Sequence, residues 1–136
     1  MKPGAGMAKA PLISIVDDDE SAREGLSDLV EAMGFAVKSF MRAQDFLQSK
    51  SLRNTACLIT DIRMPEMGGQ QLHNLLVASK RVIPTIMITA FPTERERAQA
   101  LQAGVVCYLA KPVAESDLLA CLTSALERHN AAERGS

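Results

Sequence analysis

Short apolar runs alternate with longer amphipathic runs along the chain, five times over. The runs Leu12 to Val16, Ala36 to Phe40, Ala56 to Thr60, Thr85 to Thr89 and Val105 to Leu109 predict strands. The first, third and fourth are almost wholly apolar and rich in Ile and Val, as in strands covered on both faces of a parallel sheet. The run at Ala36 contains Lys38 and Ser39 and suits a sheet edge. Between the strands, spacing of three and four residues predicts helices. Ala22, Gly25, Leu26, Leu29, Val30 and Met33 share one face of the first, and Gly34 ends it. Asp19 and Ser21 are candidate caps, Ser21 with Glu24 as a capping box. A short helix is expected at Ala43 to Gln48. Leu72, Leu75, Leu76 and Ser79 stripe the second long helix, which ends before Pro84. The stretch Glu94 to Ala103 is polar, with Ala98, Leu101 and Gln102 at helical spacing and Gly104 as its stop. Leu118, Leu119, Leu122, Ala125 and Leu126 form the strongest stripe. The alternation is (βα)₅, an α/β fold with a doubly wound parallel five-stranded sheet and helices on both faces.

A chain of 136 residues is one domain. Residues 1–10 are expected as a disordered leader, with Met7 as a second candidate start. The fold is expected over 11–129, and 130–136 as a tail or the beginning of a linker. Fifteen basic against sixteen acidic residues give a net charge of −1. That balance argues against nucleic-acid or membrane-surface binding, both of which draw on a basic excess. One Tyr, four Phe and no Trp leave little for stacking on bases. No apolar run approaches the roughly 18 residues of a membrane span. Cys57, Cys107 and Cys121 form no Cys-x-x-Cys pair and read as small buried hydrophobes in a reducing cytosol.

In a sheet of this kind ligands sit beyond the carboxyl ends of the strands. Asp17, Asp18 and Asp19 follow the first strand, Asp61 the third, Thr89 closes the fourth, and Lys111-Pro112 follow the fifth. Carboxylates about 4 Å apart repel by about 4 kcal/mol per pair at an effective dielectric near 20. A divalent cation relieves that. An all-oxygen ligand set selects Mg²⁺, with Mn²⁺ as the alternative, over zinc. Mg²⁺ takes few carboxylates, which leaves one free as a nucleophile toward phosphorus. Lys111 and Thr89 stand where a transferred phosphoryl group needs a cation and a hydroxyl.

The set Val16-Asp17-Asp18-Asp19, Thr60-Asp61-Ile62-Arg63-Met64-Pro65, Thr89-Ala90 and Lys111-Pro112 resembles the receiver domain of two-component response regulators. Each motif ends an apolar strand, in order, and the resemblance runs over about residues 11 to 129. It implies the flavodoxin-like strand order 2-1-3-4-5. It makes Asp61 the phosphoacceptor for a sensor histidine kinase, in a Mg²⁺-dependent reaction. Asp18 becomes a direct metal ligand beside Asp61, Asp17 acts through water, and the Arg63 carbonyl is the third protein ligand. Lys111 pairs with the acceptor, Thr89 is the switch hydroxyl and Tyr108 the switch aromatic. The Lys111-Pro112 bond is often cis in the family. The implied protein is a cytoplasmic signalling switch, not an enzyme beyond its own phosphorylation and dephosphorylation. Its fourth helix, fifth strand and fifth helix would form the output face and a homodimer surface. The Ile-Arg-Met-Pro-Glu-Met stretch resembles receivers joined to a DNA-binding output, which this chain lacks: it is either a stand-alone receiver or part of a longer regulator.

Each residue also has a plainer role. The aspartates could cap a helix, although one cap needs one Asp. Asp61 could serve a turn, Lys111 could be a solvated loop lysine, Thr89 a β-branched strand end and Tyr108 core packing. His73 and His129 read as solvated or packed residues, Met64 and Met67 as loop packing, and Gly68-Gly69 as backbone freedom. Arg63 could lean over the site, and bulky Phe91 could shield it or face a partner. A phosphatase of the haloacid dehalogenase type would need an acid at position 63. A flavodoxin-like cofactor binder would need a phosphate loop where three aspartates stand. A receiver-like domain that is never phosphorylated would not need the full Asp, Thr and Lys set.

Overall fold

The computed structural model describes residues 10–134. The expected leader lies outside the described residues except for Ala10, as do residues 135–136. The elements follow in strict alternation: β1 (Leu12–Val16), α1 (Glu20–Ala32), β2 (Ala36–Phe40), α2 (Ala43–Leu47), a 3₁₀ turn (Lys50–Asn54), β3 (Thr55–Asp61), α3 (Gly69–Ala78), β4 (Thr85–Thr89), α4 (Glu94–Gln102), β5 (Cys107–Ala110) and α5 (Glu115–Arg134). α5 thus continues through residues 130–134 of the expected tail. The sheet order is β2-β1-β3-β4-β5, and every pairing is parallel.

Side chains alternate between the two faces of a strand, so each central strand feeds two cores. Ile13, Ile15, Cys57, Ile59, Ile86 and Ile88 pack with Leu26 and Val30 of α1 and Leu118, Leu122 and Ala125 of α5. Val16 and Leu58 point the other way, onto Phe46 of α2 and Leu72 and Leu76 of α3. Met87 meets Ala100 of α4. β3 is buried along its full length, whereas β2 is mostly exposed, as an edge strand should be.

Several expectations are corrected. Ser21 is not a cap. Asp19 is the N-cap of α1 and accepts from Ala22 N at 3.3 Å, so Ser21 falls inside the helix and no capping box forms. β5 starts at Cys107 rather than Val105. Val105 N and Val106 N instead bond Ala100 O and Thr85 O, which commits both residues to the connection out of α4. Ala98, Leu101 and Gln102 are exposed, because short polar α4 meets the sheet through Ala100. Leu75 and Leu119 are likewise exposed, and Ser79 is the C-cap of α3. Gly34 and Gly104 terminate their helices at φ +99° and +100°, which L-residues rarely adopt.

The cysteine reading is corrected for two of the three. Cys107 on β5 and Cys121 on α5 form a disulfide, with Cα atoms 6.1 Å apart. Both belong to the core that joins the sheet to α5, and packing brings them face to face across 14 residues of sequence. Cys57 is a free, buried thiol, and burial pushes its pKa up.

Candidate functional site

Parallel register aligns the strand ends. Val16 lies opposite Thr60, Asp61 opposite Ile88, and Thr89 opposite Ala110. The residues that follow therefore share one edge of the sheet. Lys111 is the centre of the cluster. Its Nζ donates to Asp61 Oδ2 at 2.7 Å and lies 2.9 Å from Asp17 Oδ2. Burial works against the Lys111 charge, but the bond to Asp61 and the adjacent Asp17 carboxylate outweigh it, and its pKa rises.

Asp17 is fully buried. Its Oδ1 accepts from Asp19 N at 3.0 Å. Its Oδ2 has the Lys111 charge nearby, off the hydrogen-bond direction, and no donor of its own among the described residues. Burial pushes the Asp17 pKa up, against the pull of Lys111. Asp61 Oδ1 accepts from Arg63 N at 3.1 Å. Asp18 is exposed, yet oxygens of Asp17, Asp18 and Asp61 all lie within 4.8 Å of one another. Three carboxylates thus face a single ammonium, and a buried carboxylate oxygen is left without a donor. A divalent, oxygen-seeking cation suits that donor set, so the residues present fit Mg²⁺.

The flanking loops hold this geometry. Thr89 is buried, and its Oγ1 accepts from Phe91 N at 3.1 Å. The Lys111-Pro112 bond is cis, and Lys111 N bonds Thr89 O at 2.8 Å. Phe91 itself stands in solvent. Gly68 and Gly69 are not there for backbone freedom, since Gly68 has φ −81°. A Cβ at Gly68 would meet Ile62 O at 2.5 Å, and one at Gly69 would meet Asp61 O at 2.6 Å. The pair lets the start of α3 close against the strand end that carries Asp61.

Tyr108 sits at the outer side of the cluster. Its hydroxyl donates to Glu96 Oε1 at 2.7 Å and accepts from Thr93 N at 3.0 Å. Burial, and after it the Glu96 bond, push the Tyr108 pKa up. His73 is packed into α3 and His129 pairs with Glu133 on α5.

Sequence reasoning missed two residues. Arg23 Nη1 donates to Asp17 O at 2.7 Å and so pins the backbone of the acidic turn from α1. Glu96 touches both Tyr108 and, at 3.4 Å, the guanidinium of Arg63. Neither has a local motif to mark it; the fold alone brings these partners together.

The response regulator receiver domain family matches residues 13–123. The response regulator protein TmoT of Ectopseudomonas mendocina is 38% identical over 116 residues, which cover 85% of this chain and 53% of that protein. The transcriptional regulatory protein FixJ of Rhizobium meliloti (strain 1021) is 35% identical over 121 residues, covering 89% of this chain and 59% of FixJ. The solved structure of response regulator StyR superposes with a TM-score of 0.85 at 35% identity, over 93% of this chain and 64% of StyR. The crystal structure of FixJ-N gives a TM-score of 0.78 at 34% identity, over 89% and 96% of the two chains. The chain spans about half the length of the curated relatives it matches.

Proposed function

The chain belongs to the response regulator receiver domain family, and from that premise we propose that it is a phosphorylation switch with Asp61 as its acceptor. The observation that carries this reading is Lys111 Nζ set between Asp61 Oδ2 and Asp17 Oδ2, at 2.7 Å and 2.9 Å. A lysine spanning two carboxylates is a poor surface ornament and a good phosphoryl clamp.

The donor is the phosphohistidine of a sensor histidine kinase. Asp61 Oδ attacks phosphorus, the P–N bond breaks, an O–P bond forms, and the released imidazole nitrogen takes a proton from solvent. Asp18, Asp61 and the Arg63 carbonyl would hold Mg²⁺, or Mn²⁺ in its place, with Asp17 acting through water. When bound, such a cation would supply positive charge to the carboxylates and to the phosphoryl oxygens. Lys111 keeps its partner and exchanges a carboxylate for a phosphoryl oxygen. Thr89 holds its hydroxyl hydrogen free to donate, because Oγ1 now acts as an acceptor toward Phe91 N. Donation to the phosphoryl group draws the β4–α4 loop inward, and Tyr108 follows into the space it leaves. The α4–β5–α5 face changes shape as a two-state equilibrium biased by local charge.

That face is the surface for a homodimer or a target. The relatives' names support control of transcription, through a DNA-binding output that lies outside this chain. The receiver itself makes no nucleic-acid contact and works in the cytoplasm; among the described residues no helix is long and apolar enough to cross a membrane. We place the receiver fold at residues 11–129, with α5 running on through Arg134. Acetyl phosphate with Mg²⁺ tests the acceptor. The wild-type protein should gain a phosphoryl group by intact mass, and Asp61→Asn should gain none; full labelling of Asp61→Asn would move the acceptor elsewhere.

A further inference from the structure

Arg63 stands two residues past Asp61, and its main chain is committed to the site through the bond from Arg63 N to Asp61 Oδ1. Its side chain turns outward. That side chain is 54% exposed, and its guanidinium lies 3.4 Å from Glu96 Oε2 in the first turn of α4. The other oxygen of the same carboxylate accepts the Tyr108 hydroxyl at 2.7 Å. Tyr108 in turn accepts from Thr93 N at 3.0 Å, and Thr93 Oγ1 caps α4 by accepting from Glu96 N at 3.1 Å. One carboxylate therefore ties together the loop after Asp61, the start of α4 and the middle of β5.

We propose that Glu96 is a clasp: it holds Arg63 off the acceptor and Tyr108 against α4 until a phosphoryl group on Asp61 recruits the Arg63 guanidinium and opens it. The proposal rests on the reading of Asp61 as phosphoacceptor. A phosphoryl group carries up to about two negative charges and offers several acceptor oxygens, where Glu96 offers one charge. Guanidinium pairs with such oxygens in a bidentate fork. The bond it would leave is long and half solvated, a kind that contributes little and exchanges readily. Once Arg63 has gone, Glu96 is a largely covered carboxylate, 23% exposed, without its counter-charge. Turning it toward water relieves that and removes the acceptor that holds the Tyr108 hydroxyl. Arg63 and Glu96 are then positioning residues in a second route from acceptor to Tyr108, parallel to the one through Thr89.

The chain supplies its own probe. It has one Tyr and no Trp, so tyrosine emission reports Tyr108 alone. A phenol bonded to a carboxylate is quenched, and its release brightens it. The probe ligand is beryllofluoride with Mg²⁺, which stands in for a phosphoryl group on aspartate. Uptake is followed by fluorine NMR, and emission is compared at saturation. Wild-type emission should rise on uptake. Arg63→Ala should lose most of that rise, and Arg63→Lys should keep part of it. Glu96→Gln should start bright and change little. A rise of wild-type size in Arg63→Ala or in Glu96→Gln would overturn the clasp, as would uptake by the wild type without any rise. A different failure is separable: a wild type that takes up no beryllofluoride, or uptake that survives in Asp61→Asn, sinks the phosphoacceptor reading and the clasp with it.

Discussion

Lys111 Nζ donates to Asp61 Oδ2 at 2.7 Å across 50 residues of sequence, and the same nitrogen neutralises buried Asp17. Lys111 is therefore in competition with any cation for the same acidic cluster. Replacing it tests both roles. Lys111→Met leaves a fully buried carboxylate without its counter-charge, a loss on the order of 2 kcal/mol. The vacated charge also strengthens the pull on a divalent ion. Mg²⁺ should therefore raise the thermal midpoint of Lys111→Met more than that of the wild type, and a chelator should abolish the difference. Equal shifts in the two proteins would show that Lys111 does not compensate the metal cluster.

The glycines give a paired prediction with opposite signs. A Cβ at Gly69 would meet Asp61 O at 2.6 Å and Ile62 Cα at 3.2 Å, both backbone atoms with no freedom to yield. Gly69→Ala should cost about 1–3 kcal/mol, as overpacking does. Gly25 lies in the middle of exposed α1 surface with nothing within 4 Å of the added carbon. Gly25→Ala should stabilise by about 0.5–1 kcal/mol, the usual gain for alanine over glycine inside a helix. Urea unfolding of both variants against the wild type decides; two shifts of the same sign would contradict this account.

The contrast between these glycines also marks what the sequence could disclose. β1 and β4 are legible to the residue because almost wholly apolar runs between turns leave few alternatives, and β2, though broken by Lys38 and Ser39, because Gly34 and the next helix bound it tightly. The acidic triplet, Asp61, Thr89 and Lys111 were legible as a set, because a parallel sheet delivers whatever follows its strands to one edge. β5 was misplaced because Val105 and Val106 are as apolar as a strand yet lie in a loop, where Val105 fills the space beside Ala100. The α4 stripe was misjudged because a helix that buries a single alanine leaves no periodic signal. Arg23 and Glu96 act through partners that only the fold supplies. The close approach at Gly68 and Gly69 depends on the position of α3 against β3, which no local spacing encodes.

His73 gives a pH dependence. It is 5% exposed, its Nδ1 has no hydrogen-bond partner among the described residues, and burial lowers its pKa below the ordinary 6.5. The folded protein thus resists protonation that the unfolded chain accepts. The contribution of neutral His73 is intact above the unfolded-state pKa and is lost as pH falls from there toward the lowered folded-state value. His73→Leu removes both the proton site and the unpartnered nitrogen. Its stability relative to wild type, from urea unfolding, should therefore rise between pH 8 and pH 5. Parallel pH profiles for the two proteins would show that His73 protonates equally well in the folded state.

The disulfide can be counted chemically. Cys107 and Cys121 are paired, and Cys57 is a free thiol with no exposed surface. Folded protein should resist alkylation. Denatured but unreduced protein should take one equivalent of iodoacetamide, and reduced protein three, matching the three cysteines of the chain. The bridge closes a segment of 14 residues, for which chain-entropy arguments give a stabilisation of about 3 kcal/mol. Dithiothreitol should accordingly lower the thermal midpoint of the wild type. Cys107→Ala, which has no bridge to lose, should not respond. Three equivalents taken up without reduction, or a midpoint indifferent to reductant, would show that β5 and α5 are held by packing alone.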